Sequence, residues 1–241
     1  MIPSGPGRRR GRPREEEPVE NEMAEPTRRY AYIHGFASSS MSRKGLYLRE
    51  LFRGRGLELE LPDLNVPSFE TMTISAILAA LNARDARAGG DGFSWQLVGS
   101  SLGGYVAARW AELRPDRVER LVLLCPGLDM AARWPALLGE ETFARWEAEG
   151  AIELPDGEGV PRPLHWGFME DMRTHPAYPE PTCPVLILHG RRDEVVSVDL
   201  SRSYAAARPH VRLVELDDDH SLAGSLQPIA REIRTFFGIP D

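Results

Sequence analysis

Apolar residues fall along this chain in short, nearly unbroken runs, with stretches of helical periodicity between them. The runs are Arg29–Ile33, Leu57–Leu61, Ser94–Val98, Arg120–Leu124, Val185–Leu188 and Val211–Leu216. Runs of that length, apolar on both faces, predict strands of a parallel sheet covered on both sides. Between them, Lys44–Gly54, Ile74–Ala88, Leu102–Leu113, Ser197–Ala207 and Ser221–Phe237 carry the spacing of helices. Strand and helix in alternation predict an α/β fold, a mostly parallel, doubly wound sheet of about six strands.

One stretch breaks the alternation. Residues 129–181 hold Trp134, Trp146 and Trp166 among many Leu, Met and Phe residues, but no run of the core-strand type. Short helices are expected at Ala131–Leu138, Glu140–Glu149 and Trp166–Met172, with a Pro/Gly-rich excursion at 155–163. An insert at this point reads as a cap over the carboxyl edge of the sheet. Most of its aromatic residues then form the cap's own core, and Trp134, Trp166 and Met169 are the candidates to face a substrate.

The first 26 residues differ again. Arg8, Arg9, Arg10, Arg12 and Arg14 are followed by Glu15, Glu16, Glu17, Glu20, Glu22 and Glu25, with Pro and Gly between them. So polar a segment has little to bury and is expected to be disordered. The division expected is therefore a tail at 1–26 and a folded domain at 27–241, with 129–181 as its cap. Arg10-Gly11-Arg12-Pro13 matches the core of a DNA minor-groove arm. The acidic run beside it repels phosphate, so a DNA-associated role ranks behind a tail with no partner.

Charge narrows the partners. Five Arg and five Glu in residues 1–22 cancel, so the net −7 belongs to the rest of the 241-residue chain. That balance weighs against nucleic acid or an anionic membrane. No apolar run approaches the roughly 20 residues of a membrane span, and the charged N-terminus lacks the apolar core of a signal peptide. Two cysteines, Cys125 and Cys183, suit neither a disulfide framework nor a metal site. A reducing, cytoplasmic setting is expected, with no metal or organic cofactor.

The chemistry is concentrated at strand ends. Gly99-Ser100-Ser101-Leu102-Gly103 follows the run that ends at Val98 and opens the helix Leu102–Leu113, a G-x-S-x-G nucleophile elbow. The turn is so tight that strand and helix backbones nearly touch, and Gly99 and Gly103 meet that demand. Ser101 is thereby held at the carboxyl edge, over a helix N-terminus whose free N–H groups suit a developing oxyanion. A serine hydroxyl needs a base, and the base a carboxylate. Asp193 follows the strand Val185–Leu188, and His220 follows the last strand. Each alone is commonly a turn former or a helix-cap neighbour. Together they give the order Ser, Asp, His at the carboxyl edge, where such sheets place ligands. Asp129, just past Arg120–Leu124, is the competing acid and ranks below Asp193. The two oxyanion donors expected are the N–H of Leu102 and that of Phe36, on the loop where Gly35 permits close approach. His34 reads as a brace for that loop.

These motifs carry a resemblance. H-G-F-A-S-S at 34–39, V-G-S-S-L-G-G at 98–104, C-P-V-L-I-L-H-G-x-x-D-E-V-V at 183–196 and D-x-D-H at 217–220 resemble the α/β-hydrolase superfamily over nearly all of 29–238. Within it they resemble the small YqiA-like bacterial esterases and a mitochondrial abhydrolase-domain acyl-protein thioesterase that also cleaves acyl glucuronides. The resemblance implies Ser101, Asp193 and His220 as the triad, with Phe36 and Leu102 as oxyanion donors. The chain departs from the full pattern in lacking the first two of eight strands, so a six-stranded version is implied. The function expected is a serine hydrolase of carboxylic esters or thioesters; the alternative is a non-catalytic binding protein of the same fold. Serine at the elbow argues against a haloalkane dehalogenase, which carries Asp there.

Overall fold

The computed structural model describes Met1 and residues 27–89 and 92–240, so the tail expected at 1–26 lies outside the described residues, Met1 apart. Six parallel strands form one sheet: β1 (Thr27–Ile33), β2 (Leu59–Glu60), β3 (Phe93–Ser100), β4 (Val118–Leu124), β7 (Val185–Gly190) and β8 (Val211–Leu216), in the order β2-β1-β3-β4-β7-β8. The numbering leaves β5 and β6 for a hairpin in the insert.

Side chains alternate across this sheet, and each face collects its own helices. Ile33, Leu97, Leu121, Leu123 and Ile187 face α2 (Ile74–Arg87), α3 (Leu102–Leu113) and α7 (Val198–Ala206), through residues such as Ile77, Val106 and Tyr204. Tyr32, Val98, Val122, Leu186 and Leu188 point the other way. They meet Leu48 and Phe52 of α1 (Arg43–Arg53) and Ile229, Ile233 and Phe237 of α8 (Leu226–Phe237). Burial on both faces of the inner strands is why they read as continuous apolar runs, whereas the edge strand β8 is buried only at Val211. No described helix is long and apolar enough to cross a membrane.

The stretch between β4 and β7 holds α4 (Met130–Leu138), α5 (Glu140–Glu149), an antiparallel hairpin of β5 (Ala151–Pro155) and β6 (Pro161–His165), and α6 (Gly167–Met172). The hairpin replaces most of the irregular excursion expected at 155–163. Three prolines made that stretch read as non-strand, yet none interrupts the ladder. His165 donates outward to the Glu70 carbonyl at 2.9 Å, so Pro161 and Pro163, at alternate positions, also turn their nitrogens away from β5. Pro155 likewise faces outward. Proline is tolerated on such an open edge.

A second difference lies at the end of the chain. The last helix begins at Leu226 rather than at Ser221. Asp219 Oδ1 accepts from the Ser221 N–H at 2.8 Å and its hydroxyl at 2.6 Å, and Leu222 adopts a positive φ of 54°. That local turn competes with the helix and holds residues 220–225 outside it.

Candidate active site

The elbow is built by close backbone contact. Ser101 sits between β3 and α3 at φ 53° and ψ −120°, a strained conformation for a non-glycine residue. Its N–H donates to the Leu124 carbonyl and its own carbonyl accepts from Gly127, so both neighbours hold the strain in place. A Cβ on Gly99 would lie 2.5 Å from the Gly103 carbonyl oxygen, and one on Gly103 would overlap the carbonyls of Ile33 and His34. Because those atoms are backbone of α3, of β1 and of the loop after it, little can yield. Gly103→Ala is expected to destabilise the fold by about 3 kcal/mol, a drop of roughly 10 °C in Tm. A melt within 2 °C of the parent would show that the turn relaxes instead.

Three side chains meet at the carboxyl edge. Ser101 Oγ lies 3.1 Å from His220 Nε2, and His220 Nδ1 lies 2.7 Å from Asp193 Oδ2. With Nδ1–H donating to the carboxylate, Nε2 is left as the acceptor facing the serine hydroxyl. The structure therefore brings Ser101, Asp193 and His220 together. Asp129 goes elsewhere: it stands at the N-cap position of α4 without a side-chain cap bond, its N–H donates to the Ala177 carbonyl, and its carboxylate meets Tyr178.

Asp193 is held on every side. Oδ1 accepts from the N–H groups of Val195 (2.9 Å) and Val196 (2.7 Å). Oδ2 has His189 Nε2 at 3.2 Å as well as His220. Burial by itself would raise this carboxyl. Hydrogen bonds from His189, His220 and the Val196 N–H outweigh it and hold Asp193 well below the usual carboxylate range. A depressed carboxyl contributes stability that is present above its unfolded value and is lost as pH falls toward the folded one. Asp193 thus stays ionised at neutral pH.

His189 is a residue whose part the sequence reading missed. It is buried, receives the Ser201 hydroxyl on Nδ1 at 2.7 Å, and donates from Nε2 to the Val196 carbonyl at 2.9 Å. It braces both the acid and the turn that carries it. The His-Gly pair at the end of β7 was the available signal: a Cβ on Gly190 would lie 2.5 Å from the carbonyls of Asp218 and Asp219, so the two loops touch here. Cys125, His189 and Asp193 form the one group among the described residues close enough to share a cation. Both His189 nitrogens are already engaged, however, and burial pushes the Cys125 thiol up, away from the thiolate a metal needs.

The loop after β1 lies against the serine. A Cβ on Gly35 would fall 3.2 Å from Ser101 Cβ, and the adjacent Phe36 N–H is taken by no acceptor among the described residues. Leu102, the other expected donor, opens α3 directly after Ser101. His34 braces this loop as expected: Nδ1 donates to the Gly35 carbonyl and Nε2 accepts from the Leu64 N–H, each at 2.9 Å. The Phe36 ring packs against Phe69, Trp134 and Phe168, with centroids at 5.5, 5.3 and 5.9 Å. Trp134 therefore touches the loop beside the serine. Trp166 is stacked edge-on against Phe143 and Trp146, and Met169 is fully buried, so both belong to the insert's aromatic core. Arg133 of α4 donates to the Leu128 and Val195 carbonyls, tying the insert to the Asp193 turn.

Residues 29–238 match UPF0227, described as an uncharacterised protein family. Among curated proteins, the mitochondrial palmitoyl-protein thioesterase ABHD10 of Mus musculus is 35% identical over 106 residues, which is 42% of this chain and 35% of that protein. Its Homo sapiens counterpart is 30% identical over 106 residues, 42% of this chain and 34% of its own. The match spans about a third of the length of these relatives. Among solved structures, mouse alpha/beta hydrolase domain-containing protein 10 superposes with a TM-score of 0.68 at 22% identity, covering 87% of this chain and 89% of its own. Est1E from Butyrivibrio proteoclasticus gives 0.71 at 24% identity, covering 88% of each. The fold is that of the α/β-hydrolases.

Proposed function

The chain belongs to the UPF0227 family, and from that premise we propose that it is a serine hydrolase cleaving carboxylic esters or thioesters. The observation that carries the reading is the relay Ser101 Oγ to His220 Nε2 at 3.1 Å and His220 Nδ1 to Asp193 at 2.7 Å. His220 takes the serine proton as Oγ attacks the acyl carbon, and returns it to the departing alcohol or thiol. Asp193 fixes the tautomer and stabilises the imidazolium. The N–H groups of Leu102 and Phe36 receive the oxyanion. Water activated by His220 then hydrolyses the acyl-enzyme and releases the acid.

Residues 27–241 act as the hydrolase domain, and 129–181 as a cap that selects the acyl group. The apolar wall presented by the half-buried Phe36, backed by the buried rings of Trp134 and Phe168, supports an acyl chain of medium length, as does the activity named for the ABHD10 relatives. The two free cysteines fit work in a reducing compartment such as the cytoplasm.

Substrate choice is tested with p-nitrophenyl esters and the matching acyl thioesters. Each methylene buried against that wall contributes about 0.8 kcal/mol, or about fourfold. Efficiency is expected to rise from acetyl to octanoyl and to fall when Trp134 is replaced by Ala. A maximum at acetyl with steep decline beyond would show that the aromatic residues only hold the cap together.

A further inference from the structure

His220 lies on neither a helix nor a strand. It sits on the irregular turn between β8 and α8, where its own segment offers little to fix the ring beyond the Asp219–Ser221 contacts. Besides Arg192, which donates to the Asp217 carbonyl at 3.0 Å, a side chain from a helix far along the chain reaches this turn. Lys44, in the first turn of α1, donates from Nζ to the Ser221 carbonyl at 2.9 Å, one residue past the imidazole.

The location of that lysine calls for a reason. A cation in the first turn faces the positive end of the helix dipole, and burial further disfavours its charge. Three carboxylates act on the ammonium through space: Asp193 after β7, and Asp218 and Asp219 after β8. Asp218 is itself buried, and its Oδ2 has no hydrogen-bond partner among the described residues. Lys44 thus spans from α1 to this acidic turn and meets it at the Ser221 carbonyl.

We infer that Lys44 is a positioning residue for the base, tethering the turn that carries His220. The inference rests on the hydrolase reading above. The tether sets the approach of Nε2 to Ser101, where misplacement by about 1 Å costs about 100-fold.

Lys44→Met and Lys44→Arg, assayed beside the full-length parent on one p-nitrophenyl ester, test the tether. The Met variant is expected to lose about 10- to 100-fold in kcat, with KM within about twofold. Arg, which keeps the donor, is expected to restore most of the loss. If the Met variant does not fold, Lys44→Gln is read in its place by the same criteria. A parent that turns over and labels with a fluorophosphonate at Ser101, beside a neutral variant with unchanged kcat, overturns the role of Lys44 alone. The same holds if kcat falls but Arg fails to rescue it. A parent with no activity and no label at Ser101 overturns the hydrolase reading itself.

Discussion

Ser101→Ala is expected to lower turnover by about five to six orders of magnitude while the domain still folds. The hydroxyl is the only group in the proposed relay able to form the acyl bond, and the members of such a relay fail together rather than additively. Residual rate over water would come from the oxyanion donors and binding alone. The fold should survive, since alanine meets the same strained φ of 53° as serine and the turn is held by backbone bonds to Leu124 and Gly127. What is lost structurally is one hydrogen bond to a partly exposed imidazole, roughly 1 kcal/mol. Steady-state kinetics, fluorophosphonate labelling and a thermal melt read the outcome. Retained turnover in a correctly folded variant would remove Ser101 from the chemistry.

The second large effect is expected at Asp193. Asn there keeps the shape and one acceptor oxygen for the N–H groups of Val195 and Val196. Its amide nitrogen would then face His220 Nδ1, which can only accept from it. The proton moves to Nε2, and the ring presents a donor to Ser101 where a base is required. Loss of about 10⁴-fold in kcat is the magnitude associated with that wrong tautomer. The same nitrogen faces His189 Nε2, itself a donor to the Val196 carbonyl. Two donors now oppose each other in a buried place, which adds a stability loss of about 1–3 kcal/mol. Asp129→Asn is the control. It lies at the start of α4 against Tyr178, outside the relay, and should leave turnover within about threefold of the parent. The reverse ranking would transfer the acid to Asp129.

The six-strand alternation was legible because the inner strands are buried on both faces, and apolar runs of four to six residues have few other uses. The helices of the core were legible to within a few residues wherever a cap was local, as with Ser42 accepting from Gly45 and Thr73 from Ala76. Misreadings cluster where a contact across the chain overrides composition. Pro161 and Pro163 argue against a strand until one sees that their nitrogens face the outer edge beside Glu70. Ser221–Ser225 has helical spacing, but Asp219 and the positive φ of Leu222 hold it as a turn.

The site divides along the same line. Ser101, Asp193 and His220 were readable because each chemistry-bearing residue is tied to a local feature: a glycine elbow, a turn after a strand, a turn before a helix. Local signals of that kind are written in consecutive residues and survive without the fold. His189, Lys44 and the competing claims of Asp129 were not readable, since their meaning depends on distances between segments 4 to 177 residues apart. Sequence by itself therefore determined the sheet, the order of candidate chemistry along the chain and the proposed nucleophile. Only the tertiary structure decided which carboxylate meets the imidazole, which second histidine braces it, and which cation stands behind it. The physical reason is range: backbone propensity acts over a few residues, whereas hydrogen bonds and charge in a buried site act between whatever the packing brings within a few ångströms.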